Sequence, residues 1–94
     1  MKFHQTELAP GLYFVGVPIG TARDITLRAL DVLASADLLA AEDTRSLRKL
    51  MEIHGVPLNG RQVVALHDHS GTAVQERLVA AVKDGKSVAY ASEA

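Results

Sequence analysis

Apolar residues fall along this chain in two patterns: short unbroken runs, and runs spaced three and four residues apart. Residues 12–17, LYFVGV, form the first unbroken run, bounded by Gly11 and Pro18. They predict a strand buried on both faces. Pro18-Ile19-Gly20 ends it. Thr21-x-x-Asp24 has the spacing of a capping box, and a helix predicted from Asp24 to Ser35 puts Leu27, Leu30 and Leu33/Ala34 on one side. Residues 37–42, DLLAAE, predict the second strand. Asp43 or Thr44 can cap the next helix, whose inner face holds Leu47, Leu50, Met51 and His54 and which stops at Gly55. A turn-rich stretch through Pro57 leads to Gly60, and residues 62–66, QVVAL, predict the third strand. Ser70 or Thr72 opens a third helix that buries Val74, Leu78, Ala81 and Val82 and ends at Gly85. Residues 87–91, SVAYA, predict the fourth strand.

This β-α-β-α-β-α-β alternation specifies an α/β fold: an open parallel sheet with helices on both faces and right-handed crossovers. The chain has 94 residues, enough for one small domain, and its 48% hydrophobic content supports a core of modest size. Ligands of such sheets bind beyond the carboxyl ends of the strands. Polar residues gather at those ends here.

Composition changes the picture in three respects. The net charge of −1 gives no global attraction to nucleic acid or membrane, so any such binding must come from local charge. Arg23, Arg28, Arg45, Arg48 and Lys49 do lie in two short stretches, while the acids are spread along the chain. The chain has no cysteine, which excludes disulfides, thiolate metal sites and thiol nucleophiles and fits a reducing, cytoplasmic setting. No apolar run approaches the ~18 residues of a membrane span, and residues 1–10 lack a signal-peptide core.

Four groups carry candidate chemistry. In Gly16-x-Pro18-x-Gly20, glycine lets backbone approach a ligand and the following helix offers free N–H groups. The pattern is neither GxGxxG nor a P-loop, and an ordinary tight turn explains it as well. Glu42-Asp43-Thr44-Arg45 crowds the end of a central strand; paired carboxylates beside an arginine can orient a ribose hydroxyl or accept a proton. Asp43 and Thr44 are equally well explained as helix caps, whereas Glu42, closing an apolar strand, has no capping task. His67 and His69 share one face of an extended segment and so have the geometry of two metal ligands, but no third ligand is evident. They read better as part of a substrate-facing loop, with no metal. Arg23, Arg28, Arg45 and Arg48 have the chemistry to contact phosphates, or else to complement Asp24, Asp31 and Glu52. His4, His54, Met51 and Tyr90 read as structural.

The motifs PIG (18–20), DITLRAL (24–30), AEDTR (41–45), LHDH (66–69) and the ending YASEA, in this order and spacing, resemble the start of the ribosomal RNA small-subunit methyltransferase I group of the tetrapyrrole (corrin/porphyrin) methylase family. The resemblance runs from Leu12 to Ala94. It implies a two-domain, usually homodimeric enzyme that uses S-adenosylmethionine, held between the domains. It also implies a first-domain sheet of order 3-2-4-1-5, of which this chain would supply 3-2-4-1 and then stop after its fourth strand. Pro18, Ile19 and Gly20 correspond to one cofactor-side loop, and Ser92, Glu93 and Ala94 to the opening of a second. The AEDTR group methylates a cytidine 2′-hydroxyl of small-subunit (16S) rRNA, so Glu42 and Asp43 are expected to orient or deprotonate the hydroxyl and Arg45 to hold a phosphate. A tetrapyrrole C-methyltransferase is the alternative enzyme, for which a GxGxGD first loop is expected and not found. A catalytically silent isolated domain is the other alternative; on either view the 94 residues alone are expected to be inactive. The chain departs from the family pattern at Thr21-Ala22 (usually Asn-Leu), at Ser70-Gly71 (often Asn-Glu) and at Glu93 (Asp).

Overall fold

The computed structural model describes residues 3–18, 23–66 and 72–93. Four strands, β1 (Gly11–Val17), β2 (Leu38–Ala41), β3 (Val63–Ala65) and β4 (Ser87–Glu93), alternate with three helices, α1 (Leu27–Ser35), α2 (Thr44–Ile53) and α3 (Thr72–Lys83). The strands form one sheet in the order β1-β4-β2-β3, and every neighbouring pair is parallel. This is the 3-2-4-1 order expected from the resemblance.

The two-residue period of the strands divides the core. Leu39 and Ala41 of β2, with Val15, Val17, Val63, Ala89 and Ala91, meet α1 through Leu30 and Leu33 and α2 through Leu47, Leu50 and Met51. Ala40, Val64 and Val88 point to the other face and meet α3 through Leu78, with Val74, Ala81 and Val82 half-buried around it. Thus α1 and α2 cover one face as the chain steps from β1 to β2 to β3, and α3 covers the other as it returns to β4. Opposite directions on opposite faces keep a single crossover hand.

Both α2 and α3 end in Schellman motifs. At the first, the N–H groups of Gly55 and Val56 reach the carbonyls of Glu52 and Met51; at the second, those of Gly85 and Lys86 reach Val82 and Ala81. Gly55 (φ 71°) and Gly85 (φ 85°) supply the left-handed residue each motif requires.

Several expectations are corrected. The first strand is not buried on both faces: β1 is an edge strand, and on the α3 side Leu12 is 47% and Phe14 69% exposed. Phe14 and Tyr90 meet there as a T-shaped ring pair, at 6.0 Å between centroids. Helix α1 starts at Leu27, not Asp24, and its cap is Thr26, whose Oγ1 accepts the Ala29 N–H at 3.0 Å. Ile25 precedes that cap and joins the same apolar cluster as Leu30, the arrangement of a hydrophobic staple. Strand β2 is shorter than expected and leaves Asp37 and Glu42 outside, whereas β4 runs two residues further, through Ser92 and Glu93. In α3 only Leu78 is fully buried.

The amino end of the sheet is tied by polar groups absent from the sequence-based reading. Ser87, 1% exposed, donates its N–H (2.9 Å) and its hydroxyl (3.1 Å) to the Asp37 carboxylate, and its Oγ accepts the Asp37 N–H at 3.0 Å. Arg61 donates to four carbonyls: Leu33 (2.6 Å), Ala36 (2.8 Å), Pro57 (2.7 Å) and Leu58 (2.8 Å). Its planar fork thereby closes the carboxyl end of α1, where carbonyls otherwise lack partners. Partial burial lowers the Arg61 pKa and the Asp37 charge opposes that shift. Among the described residues no helix is long and apolar enough to cross a membrane.

Candidate active site at the carboxyl rim of the sheet

The carboxyl ends of all four strands form one rim. Gly16 lies opposite Ser92 and Val17 opposite Glu93 across β1 and β4, while Ala41 lies opposite Ala91 across β2 and β4. Glu42, one residue beyond Ala41, therefore leaves the sheet at the level of Ser92 and Gly16. The helix leaving β2 packs on one face and the helix leaving β3 on the other, the condition for a crevice between neighbouring strand ends. Glu42 stands on the β2 side of that crevice. The loop on the β3 side, with His67, Asp68 and His69, lies outside the described residues, as do Ile19, Gly20 and Ala94.

Each described candidate has a distinct setting. Glu42 is exposed, and its side chain has no partner among the described residues. Asp43 is the N-cap of α2: one carboxylate oxygen accepts the Arg45 and Ser46 N–H groups, both at 3.1 Å, and the other accepts the Ser46 hydroxyl at 2.9 Å. The Ser46 N–H, then its hydroxyl, and to a lesser degree the Arg45 N–H and charge, hold the Asp43 carboxyl below the usual carboxylate range. Of the two caps left open by the sequence, Asp43 is the one used, and Thr44 is the first helical residue. Ser46, its hydroxyl partner, is a contributor that sequence reasoning missed; its place at N3 of a capped helix was the available signal. Arg45 is exposed in the first turn of α2.

On the β1–β4 side, Pro18 and Ser92 are half-buried and Glu93 is exposed. A Cβ placed on Gly16 would meet no described residue within 4 Å, so the described residues leave the space over this backbone open. The structure thus aligns Gly16, Ser92 and Glu42 at one level of the rim, with Asp43 and Arg45 just beyond. Tyr90 sits beneath, its hydroxyl donating to the Leu66 carbonyl at 3.4 Å where β3 ends. Arg23 and Arg28 are exposed near the start of α1.

Comparison with known proteins fits this geometry. Residues 11–93 match the family described as Tetrapyrrole (Corrin/Porphyrin) Methylases. The chain belongs to that family. The matched span takes in every strand of this tetrapyrrole methylase chain and all the described rim residues. The chain is also 46% identical over 87 residues to the ribosomal RNA small subunit methyltransferase I of Mesorhizobium japonicum, covering 93% of this chain and 29% of the relative. Against the protein of that name from Escherichia coli O157:H7 it is 45% identical over 96 residues, covering 100% of this chain and 32% of the relative. Against that from Bacillus subtilis it is 37% identical over 83 residues, covering 88% and 27%. This tetrapyrrole methylase chain therefore spans about a third of the length of the curated relatives it matches.

Proposed function

We propose that this chain is the amino-terminal, cofactor-facing domain of an S-adenosylmethionine-dependent methyltransferase whose substrate is a cytidine ribose 2′-hydroxyl in small-subunit (16S) rRNA. The observation that carries this reading is the Glu42 carboxylate, without a partner among the described residues, at the rim of a tetrapyrrole methylase sheet, beside Asp43 and Arg45. Relatives named for ribosomal RNA methylation, 37–46% identical over most of this chain, favour RNA over a tetrapyrrole as acceptor. The reading sets the whole enzyme in the cytoplasm as a homodimer, as the family resemblance implies.

The residues present fit the cofactor. The open space over Gly16 admits a flat group against the β1 backbone, and Ser92 and Glu93 across from it offer a hydroxyl and a carboxylate to ribose hydroxyls or to a cation. Pro18, Ile19, Gly20 and Ala94 would complete that side. When bound, S-adenosylmethionine supplies a methyl group on a positively charged sulfur.

The chain's own residues then have three tasks. A ribose hydroxyl is a poor nucleophile, so holding it in line supplies most of the rate and a base adds to it. Glu42 accepts the hydroxyl hydrogen bond and takes the proton; no described residue occupies its lone pairs. Asp43 is a weaker base, since three donors already stabilise its charge, so it orients: it fixes the first turn of α2 and with it Arg45. Arg45 contacts a phosphate next to the target ribose.

The test is transfer of labelled methyl from S-adenosylmethionine by the full-length protein that carries this chain, offered unmodified small ribosomal subunits and a tetrapyrrole precursor together. Label in a cytidine ribose supports the reading. Label in the tetrapyrrole alone overturns the choice of acceptor, and label in neither overturns the activity.

A further inference from the structure

We propose that the solvent face of α2, through Arg48 and Lys49, is a phosphate-binding track that holds the RNA strand running away from the target nucleotide. The proposal rests on the reading of RNA as substrate and extends it beyond Arg45 to residues that do not touch the reacting ribose.

The first ground is the charge order of α2. Leu47, Leu50 and Met51 face the core, and Arg45, Arg48, Lys49 and Glu52 are exposed on the opposite side. Arg45 lies three residues from Arg48 and four from Lys49, so three cations share one surface and repel. Arg45 also lies in the first turn, where the helix dipole favours acids, and Arg48 and Lys49 follow at mid-helix. No acid stands in the first turn and no base in the last; the one acid within the helix, Glu52, lies near its carboxyl end. Arg48 followed by Glu52 is the less favourable order for an i,i+4 pair. Asp43 at the cap supplies the acid that favours this end of the helix, whereas the grouping of Arg45, Arg48 and Lys49 gains nothing from the helix itself. A local charge arrangement that the fold does not require points to function.

The second ground is that these cations are uncommitted. Arg61 spends its guanidinium on four carbonyls, and Arg77 bonds the Gln62 side chain. Arg48 and Lys49 have no side-chain partner among the described residues. The third ground is position. Helix α2 starts two residues after Glu42 and runs back from the rim, so Arg48 and Lys49 stand about one turn, roughly 5.4 Å, beyond Arg45. A ribose seated at Glu42 has phosphates on both sides, and one arm of its strand crosses this face. Such contacts set register and orientation and carry no base preference. With a chain charge of −1, attraction to RNA must be local, and Arg45, Arg48 and Lys49 form one of the two short stretches in which cations gather.

The test measures binding of a single-stranded small-subunit rRNA fragment by the full-length protein over a salt series, for wild type, R48Q/K49Q and the control K83Q/K86Q, which removes the same charge on the α3 side. R48Q/K49Q is expected to bind about tenfold more weakly at moderate salt, with the slope of log affinity against log salt reduced by about 1.4. Its melting temperature is expected to equal or exceed that of wild type, and the control to stay within about twofold. An unchanged affinity and slope, an equal loss in the control, or a loss matched by a lower melting temperature each overturns the track. Methyl transfer to small subunits is followed in parallel. Wild type that labels rRNA while R48Q/K49Q binds normally overturns the track alone; wild type that neither labels nor binds RNA overturns the substrate reading as well.

Discussion

The two ends of the sheet treat charge in opposite ways. At the amino end, Asp37 is bonded to Ser87 across β2 and β4, and Arg61 bridges the end of α1 to the loop before β3. At the carboxyl end, the Glu42 side chain has no partner among the described residues, and Asp43 is tied into the cap of α2. The same parallel sheet thus sets internally bonded polar groups at one end and the proposed site at the other. Groups whose bonds are internally satisfied hold the fold, and groups left with free lone pairs or protons can be spent on a ligand.

The comparison breaks if substitutions at the two ends have the same consequences. The largest effect is expected from Glu42→Gln in the full-length enzyme. Methyl transfer should fall by about 100-fold or more, the range for loss of a general base, while the melting temperature stays within error. Next comes Arg61→Ala, with the reverse signature. It should reduce unfolding free energy by about 2–3 kcal/mol, as expected for charge-assisted bonds to several carbonyls, and leave cofactor affinity unchanged below the melting transition. Chemical denaturation measures the first quantity and calorimetric titration the second. Arg61→Lys should recover little, since an ammonium cannot match the planar fork.

Ser87→Ala should cost about 1 kcal/mol, because it removes the hydroxyl bond to the Asp37 carboxylate while the Asp37 N–H keeps the Ser87 carbonyl and the Ser87 N–H keeps the carboxylate. A smaller effect is expected at Asp43, a rim residue with a stabilising role. Its pKa is lower in the folded state, so its contribution is complete above the ordinary carboxylate range and is lost as pH falls through the depressed folded value. Asp43→Ala should lower the melting temperature at neutral pH, Asp43→Asn should retain most of the cap, and both should flatten the acid limb of the stability curve. An unchanged acid limb in Asp43→Ala would contradict the capping role.

Much of this architecture was legible in the residues. LYFVGV, DLLAAE, QVVAL and SVAYA mark the strands because each is a short apolar run stopped by glycine, proline or charge, and Gly55 and Gly85 mark helix ends because their left-handed backbone excludes most other residues. What could not be read depended on partners distant in sequence. An apolar run does not say whether a neighbour covers it, so β1 looked doubly buried although Phe14 is exposed. Ser92 and Glu93 are polar enough to end a strand, yet pairing with Gly16 and Val17 extends β4 through them. Thr21 and Thr26 both have capping chemistry; Ile25 with Leu30 favoured the second, and that staple was the overlooked signal. The Arg61 bonds to the end of α1 and the Asp37–Ser87 pair left no local trace, because they span 25 to 50 residues. At the site, Glu42 stood out for lacking a structural task, whereas Asp43 was ambiguous until its cap was seen.

The division between the two ends is tested most directly by mapping backbone amide shifts of this chain on titration with S-adenosylmethionine and then with the rRNA fragment. The account predicts cofactor-induced shifts at Gly16, Ser92 and Glu93 and RNA-induced shifts from Glu42 along α2, with Asp37, Arg61 and Ser87 unmoved. Shifts concentrated at Asp37, Arg61 and Ser87, with the carboxyl rim silent, would contradict it.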